Sequence, residues 1–411
     1  VQSQNPPGTG TLRSHPRFLR VWGGQVAGAI GDQLVPVALS LHVVLHGGGA
    51  GTVAGVLGGR AGGLVLCLLI GGVLADRMSR SAIVAYADTY RAVLLVATAL
   101  LLDRLPMGLL ALATVLVGAG EALGRPAYRS LVPTLLPVSL LEKGNALVSA
   151  GLRSSAVLGA LAGASAAALV GTRAALLIAA GTFAFAAFTV FGVRAPAPDR
   201  KPSSVLGDAR DGLRAVYRRP WAMAVMAATC VQIMAGTAVA LTLLPIVAQR
   251  EFGGGFSYGA VLAATALGAL PAVVLAGKWR PKRRGTVSML VLVCYAGLPL
   301  SLLGPLPLPW TIAVFALGGF VVELFFVYWL SALQREIPAE LLGKVLALDQ
   351  LGAFALLPLG YALVGPAVAA FGEGATLLGS GLIVGVTTLA TLLVPGVPEF
   401  GGSSRPQRTT R

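Results

Sequence analysis

Charge is what this sequence has least of. Asp, Glu, Lys and Arg make up 11% of its 411 residues, against roughly 25% in a typical soluble domain. That is too little to cover a water-facing surface, so an ordinary soluble enzyme and a disordered chain are both excluded. Cysteine is scarce as well. Cys67, Cys230 and Cys294 stand far apart inside apolar runs, an odd number without metal-ligand spacing, so neither a disulfide framework nor a metal site is expected. The three histidines, His15, His42 and His46, form no ligand cluster and allow no plausible Ser/His/Asp grouping. There is no Walker phosphate loop. No enzymatic activity, no cofactor and no direct use of ATP is therefore expected. The first apolar run is too long for a signal-peptide core and contains Asp32, so no cleavable leader is expected either.

Apolar residues are abundant instead. They reach 56% of the chain, with 54 glycines and a mean hydropathy of +0.81. Such a composition points to a polytopic membrane protein with closely packed helices. Twelve runs are long enough to span a bilayer: 19–45, 52–74, 81–102, 106–124, 144–170, 173–192, 221–248, 257–277, 285–304, 309–331, 344–369 and 374–395. They are continuous and rich in Ala, Leu and Val, not alternating, which excludes a porin-type barrel.

A net charge of +15 would suggest nucleic acid in a soluble protein, but here the basic residues sit between the spans. With the N-terminus placed in the cytoplasm, 25 of the 31 Lys and Arg fall in cytoplasmic segments. Arg104, Arg173 and Arg250 lie on the other side, and Arg60, Arg91 and Arg153 within spans. That asymmetry predicts both termini in the cytoplasm and an even number of spans. The partner of the surface is then a lipid bilayer and not nucleic acid. Arg strongly outnumbers Lys, which suits a high-GC bacterium, so the bacterial cytoplasmic membrane is the expected location.

The longest polar connection, 193–220, divides the spans into six and six. The expected organisation is an N-terminal half at 1–192, a cytoplasmic linker at 193–220, a C-terminal half at 221–398 and a tail at 399–411. Leu206, Ala209, Leu213 and Val216 give the linker weak helical spacing. Either a helix at the membrane interface or a solvated linker accounts for it. The halves also repeat one another. At an offset of 201, Gly118 meets Gly319, Ser130 meets Ser331 and Pro137 meets Pro338; Leu140-Leu141-x-Lys143 meets Leu341-Leu342-x-Lys344. Gly151 meets Gly352, and Leu158-Gly159 meets Leu359-Gly360. Two parallel six-helix repeats are the arrangement found in major facilitator transporters.

Between the second and third spans stands Gly72-Val-Leu-Ala-Asp76-Arg77-Met-Ser-Arg80. Gly72 permits close helix approach, and a carboxylate at Asp76 can pair with Arg77 or Arg80 or cap a neighbouring helix. The segment resembles the loop signature of the major facilitator superfamily, with Ser79 and Ser81 in place of the usual Gly and basic residue. The second-half counterpart, Gly277-Lys-Trp-Arg-Pro-Lys-Arg-Arg284, keeps the basic character without the Asp. Further likeness runs through Gly31-Asp32-Gln33, Asp88-x-x-Arg91, Pro126-Ala-x-x-Ser130-Leu-Val-Pro133 and Asn145-Ala146. These are similar to the bacterial branch that includes the enterobactin exporter and the macrolide efflux proteins. The Gly-Pro that many antiporters carry in span five has no counterpart in Leu158-Gly159-Ala160-Leu161. The resemblance implies an all-α membrane protein with the major facilitator fold and twelve transmembrane helices in two halves. It also implies a gate at Gly72, Asp76, Arg77 and Arg80, with Asp88 and Arg91 as a nearby i, i+3 pair that joins it.

Five carboxylates lie in or at the ends of spans, namely Asp32, Asp88, Glu121, Glu323 and Asp349, together with Arg60, Arg91 and Arg153. Each isolated charge at a helix centre costs about 2.5–3.5 kcal/mol on insertion scales. They must therefore face water, pair or be neutral. Gln25, Gly28, Asp32 and Pro36 share one helix face and make a narrow polar stripe that should line a wet cavity. Asp32 is the first candidate for proton coupling. Glu323 is the second, since Phe320, Phe325, Phe326, Tyr328 and Trp329 surround it in sequence. Glu121 is the third, with Arg125 at i+4 as a competing helical ion pair. The candidate substrate cavity comprises Gln25, Gly28, Asp32, Arg153, Phe325 and Tyr328. Phe325 and Tyr328 would stack on substrate or face lipid; Arg153 and Arg60 would meet an anionic group or a partner across the bundle.

The expected function is a secondary active transporter: a proton-coupled exporter of a small amphipathic compound, such as a drug, an antibiotic or a siderophore-like product. It would act by alternating access, as a monomer, with protons and a small molecule as partners. An importer or uncoupled facilitator is the alternative on the same fold. A non-transporting scaffold or sensor would need neither Asp76 nor buried carboxylates.

Overall fold

The computed structural model describes residues 11–77, 79–131, 134–193, 205–279, 281–304 and 306–400. Among them all regular structure is helical. Six long helices come first: α1 (Pro16–Leu45), α2 (Ala50–Arg77), α3 (Arg80–Leu101), α4 (Met107–Leu131), α5 (Leu141–Leu169) and α6 (Gly171–Thr189). A short α7 (Val205–Tyr217) follows. The next span is α8 (Pro220–Val231), a π-helical segment (Gln232–Thr237) and α9 (Ala238–Glu251) in one continuous run. Then come α10 (Gly255–Lys278), the interrupted pair α11 (Arg284–Leu292) and α12 (Gly297–Leu300), α13 (Leu308–Glu336) and α14 (Ala339–Thr391).

Ten of these helical runs are long and apolar enough to cross a membrane. The interrupted run Arg284–Leu300 adds another. The last run is two spans and not one, because Gly372 breaks the helical backbone at φ 80° and ψ 165°. Only glycine adopts that conformation without a steric cost. Twelve spans result, as the hydropathy pattern predicts.

Contacts divide the chain into two units, residues 1–47 with 59–200 and residues 48–58 with 201–411. Each is held by small residues that let backbones touch. In the first unit, a Cβ on Gly118 of α4 would overlap the Arg60 carbonyl of α2. In the second, a Cβ on Gly319 of α13 would overlap the Thr265 carbonyl of α10. A Cβ on Gly159 would sit 2.7 Å from the Ile30 carbonyl of α1, and one on Gly360 2.6 Å from the Met234 carbonyl in the π-helical segment. The matched glycines of the sequence repeat thus do the same work in both units.

In the second unit, the π-helical segment is stitched to α14. Gln232 Nε2 donates to Thr388 Oγ1 at 2.6 Å, and Ser380 Oγ donates to the Ala235 carbonyl at 2.6 Å. A π turn misaligns backbone carbonyls, and the Ser380 hydroxyl satisfies one of them.

The linker contains the expected helix, but its surroundings differ from a membrane interface. Val216 and Ala215 are buried in the core of the second unit, whereas Leu213 is exposed. Gly212 lies against the Lys344 carbonyl of α14, and Lys344 Nζ donates to Asp211 Oδ2 at 2.6 Å. Protein and not lipid takes the buried face of α7. The side chains of Leu206 and Ala209 lie outside the described residues.

Candidate functional site

The polar stripe on α1 is aimed by its contact with α5. Trp22 Nε1 donates to the Leu147 carbonyl at 3.1 Å, and Ser155 Oγ to the Val26 carbonyl at 3.0 Å. These bonds and the close approach at Gly159 set the rotation of α1. Gln25, Gly28, Ala29, Asp32 and Gln33 then line a cavity of about 530 Å³ within the first unit. The rest of the wall is Arg91 from α3, Arg125, Tyr128 and Arg129 from α4, and Asn145, Val148, Ser149 and Leu152 from α5.

One side of this cavity carries a six-residue charge network. Arg91 Nη1 donates to Asp32 Oδ1 at 2.8 Å, and its other terminal nitrogen donates to Asp88 Oδ1. The Tyr128 hydroxyl donates to the second Asp88 oxygen at 2.9 Å. Arg60 Nε on α2 donates to Glu121 Oε2 at 2.9 Å, and its Nη2 lies 4.0 Å from Asp32 Oδ1. Arg125 completes the set by pairing with Glu121 Oε1. Three carboxylates meet three guanidiniums, so the charges of the network balance, with Arg125 at its exposed end. The Arg91 guanidinium also lies 4.1 Å from the Phe183 ring centre of α6, a cation–π contact. Gly120 makes space for the Arg91 stem, since a Cβ there would stand 2.7 Å from Arg91 Cγ. Two atoms in this region are buried without a hydrogen bond, Gln25 Oε1 and Arg91 Nε. A buried unsatisfied polar atom is a place for water or substrate.

The sequence-predicted residues distribute unevenly. Gln25, Gly28 and Asp32 line the cavity together. Asp32, however, is not without a neutralising group: Arg91 reaches it from another helix, which spacing along α1 cannot reveal. Asp88 and Arg91 form the expected pair, but Arg91 also reaches Asp32 and lines the cavity, with Asp88 buried behind it. Glu121 is buried behind the wall, held by both Arg60 and Arg125. Arg153 is half-buried on α5 and is not among the residues lining this cavity.

Phe325 and Tyr328, expected at a substrate cavity, are buried in the core of the second unit. Phe325 stacks on Trp329 at 6.1 Å, and the Tyr328 hydroxyl donates to the Trp279 carbonyl at 2.7 Å. The face of α13 that carries them turns toward its own neighbours, while Phe326 is exposed. Glu323 is half-buried on the same helix.

In the loop motif, the side chains of Gly72, Asp76 and Arg77 lie outside the described residues. Arg80 Nη1 donates to the Ser130 carbonyl at 3.1 Å, tying the start of α3 to the end of α4. Ser79, the departure from the signature, accepts a bond from the Ala82 amide as the N-cap of α3.

Tyr128, Arg129, Ser149 and Arg60's bond to Glu121 escaped the sequence reading. A signal for Tyr128 existed: Glu121, Arg125 and Tyr128 share one face of α4 at i, i+4 and i+7.

Residues 21–360 match the sequence profile of a family described as the Major Facilitator Superfamily. The multidrug efflux pump Tap of Mycolicibacterium fortuitum is 25% identical to this chain, covering 97% of it and 100% of the pump. The multidrug efflux pump Tap of Mycobacterium tuberculosis is 26% identical, with 94% of each chain covered. Among solved structures, a peptide transporter POT in complex with sulfate aligns with a TM-score of 0.74 at 16% identity, covering 94% of this chain and 95% of that one. The nucleoside transporter NupG aligns with a TM-score of 0.70 at 12% identity, covering 92% and 99%. These structures share the fold.

Proposed function

Because this chain belongs to the major facilitator superfamily, and is thus a multi-pass membrane transporter, we propose that it is a proton-coupled exporter of small amphipathic compounds. The observation that carries the proposal is the balanced charge network on the wall of a polar cavity, with Asp32 as its one carboxylate lining the cavity. The naming of its relatives as multidrug efflux pumps supports the direction of transport.

Coupling follows from competition for one carboxylate. Asp32 holds Arg91 while it is ionised. A proton arriving on Asp32 removes that attraction and leaves Arg91 to Asp88. A basic or hydrogen-bond-donating group of a substrate must also displace Arg91 to reach Asp32. Proton and substrate therefore exclude one another, which is the condition for exchange. Glu121 and Glu323 are the further candidates for carrying a proton. Arg60, 4.0 Å from Asp32, is the second cation that senses the charge of Asp32. Gln25 offers a buried, unused carbonyl oxygen to a substrate donor.

The halves 1–192 and 221–398 alternate access to the site, with the segment Gly72–Arg80 as the gate. The protein works as a monomer in the bacterial cytoplasmic membrane, both termini in the cytoplasm. The test is dye uptake by inverted vesicles. Ethidium or a bisbenzimide dye should accumulate when the vesicle interior is acidic, stop when the gradient is collapsed, and fail in Asp32→Asn. Uptake that ignores the gradient would establish the facilitator in its place.

A further inference from the structure

The cavity of the first unit is not charge-balanced on the side that a solute meets. Its lining holds one carboxylate, Asp32, against the guanidiniums of Arg91, Arg125 and Arg129. The carboxylates that offset Arg91 and Arg125 from behind are Asp88 and Glu121, and both are buried outside the lining. Arg129 stands apart from the network. It is exposed, and among the described residues no Asp or Glu pairs with it.

Arg125 and Arg129 lie at i and i+4 on α4, so their guanidiniums share one face, and like charges at that spacing repel. A basic residue near a helix end is explained by topology alone. Its direction is not, and Arg129 is turned to the cavity beside Arg125. An anion placed between the two replaces the repulsion with charge-assisted hydrogen bonds. Asn145 and Ser149, one turn apart on α5, add uncharged donors to the same wall and make no side-chain hydrogen bond among the described residues.

The helices give the cavity two ends. Tyr128 and Leu131, on either side of Arg129, pack in one cluster with Val21 of α1. Asn145 belongs to that end as well, since Trp22 Nε1 donates to the nearby Leu147 carbonyl. Asp32 lies further along α1, about 16 Å of helix beyond Val21, and there it meets Arg91. Between the ends, Ala29, Val148 and Leu152 supply an apolar stretch of wall. A row of cations at one end, a carboxylate at the other and an apolar middle match a molecule with an acidic group, an apolar body and a donor group.

We propose that the cavity takes small amphiphiles bearing an acidic group, a carboxylate, sulfonate or phosphate, which sits at Arg125 and Arg129 while the donor end of the molecule meets Asp32. That such a molecule is a transported substrate rests on the exporter reading above; its binding does not. Ethidium, which has no acid, engages the Asp32 end alone.

Fluorescence polarisation of the full chain in detergent, at fixed ionic strength, reads the binding of two dyes that differ in one group: rhodamine B, with a free carboxylate, and rhodamine B ethyl ester, without it. The wild type should bind the acid about tenfold more tightly, the order of one hydrogen bond to a charged group. Arg129→Gln should bring the two affinities together, whereas Arg129→Lys should keep most of the preference. Equal affinities in the wild type, no saturable binding of either dye, or a preference that survives Arg129→Gln overturns the proposal. If Arg129→Gln does not fold, the wild-type comparison still decides. Micelles doped with phosphatidylglycerol separate a solute from a lipid headgroup. If that lipid displaces rhodamine B and phosphatidylcholine does not, the anion site belongs to lipid and the substrate class is overturned. Dye uptake by inverted vesicles separates this proposal from the exporter reading. Acid-selective binding with uptake indifferent to the gradient keeps the site and sinks the coupled exporter. Gradient-driven uptake of ethidium without any preference for the acid keeps the exporter and sinks the site.

Discussion

Arg91 and Asp32, 59 residues apart on α3 and α1, meet at 2.8 Å and make one ion pair of the two polar features that the chain places in separate spans. Arg91 also holds Asp88, so a single guanidinium joins three helices, because Tyr128 of α4 completes the Asp88 carboxylate. Removing the cation strands the buried Asp88 and takes from Asp32 its nearest partner, whereas removing the Asp32 charge leaves Arg91 with Asp88.

Arg91→Ala should therefore destabilise the protein strongly, by about 3–5 kcal/mol on the scale of a broken buried pair. Asp32→Asn should cost far less. Thermal unfolding of the two variants in detergent, followed by tryptophan fluorescence, checks the order. Equal melting temperatures would mean that the network contributes nothing to stability.

Tyr128→Phe removes the hydroxyl from a charged acceptor and should cost about 1.5–3 kcal/mol. In combination with Asp88→Asn the losses should not add, because both act on one hydrogen bond. Additive shifts in melting temperature would show that Tyr128 acts elsewhere.

Close helix approach gives a sharper contrast. Gly118→Val places side-chain atoms into the Arg60 backbone and should abolish the folded protein or lower its melting temperature markedly. Gly62→Ala, where nothing lies within 4 Å of the added carbon, should be nearly neutral. Expression and size-exclusion profiles of both variants read this directly.

Phe325→Ala opens a hole among Trp221, Trp329 and Phe400. It should cost about 3–5 kcal/mol, as large-to-small core changes do. Phe326→Ala, on the exposed side of α13, should be tolerated. If instead Phe325→Ala leaves stability intact and alters dye uptake alone, the residue contacts substrate and not the core.

The charge bias of the loops carries an orientation. A cytoplasmic reporter fused after Pro398 should be active, and a periplasmic-type reporter at the same place silent. The converse pattern would invalidate the even-span topology. Asp76→Asn should reduce gradient-driven uptake with expression and melting temperature nearly unchanged, because its proposed role is in the conformational switch.

The sequence by itself determined everything that depends on one helix at a time. Span length against bilayer thickness and pairs at i+3 or i+4 such as Asp88–Arg91 and Glu121–Arg125 are consequences of helix geometry, and each is present. The repeat was legible too, since Gly118 with Gly319 and Gly159 with Gly360 do matching work in the two units. Tertiary structure alone decided which spans share charge. Asp32–Arg91 and Arg60–Glu121 depend on the rotation and depth of separate helices, which are set where glycines let backbones touch, and no spacing along the chain encodes them. It also decided which face of α13 is buried. Aromatic residues on every side of a membrane helix give no periodicity to read, so packing against Trp221 and Phe400, and not sequence, put Phe325 and Tyr328 in the core.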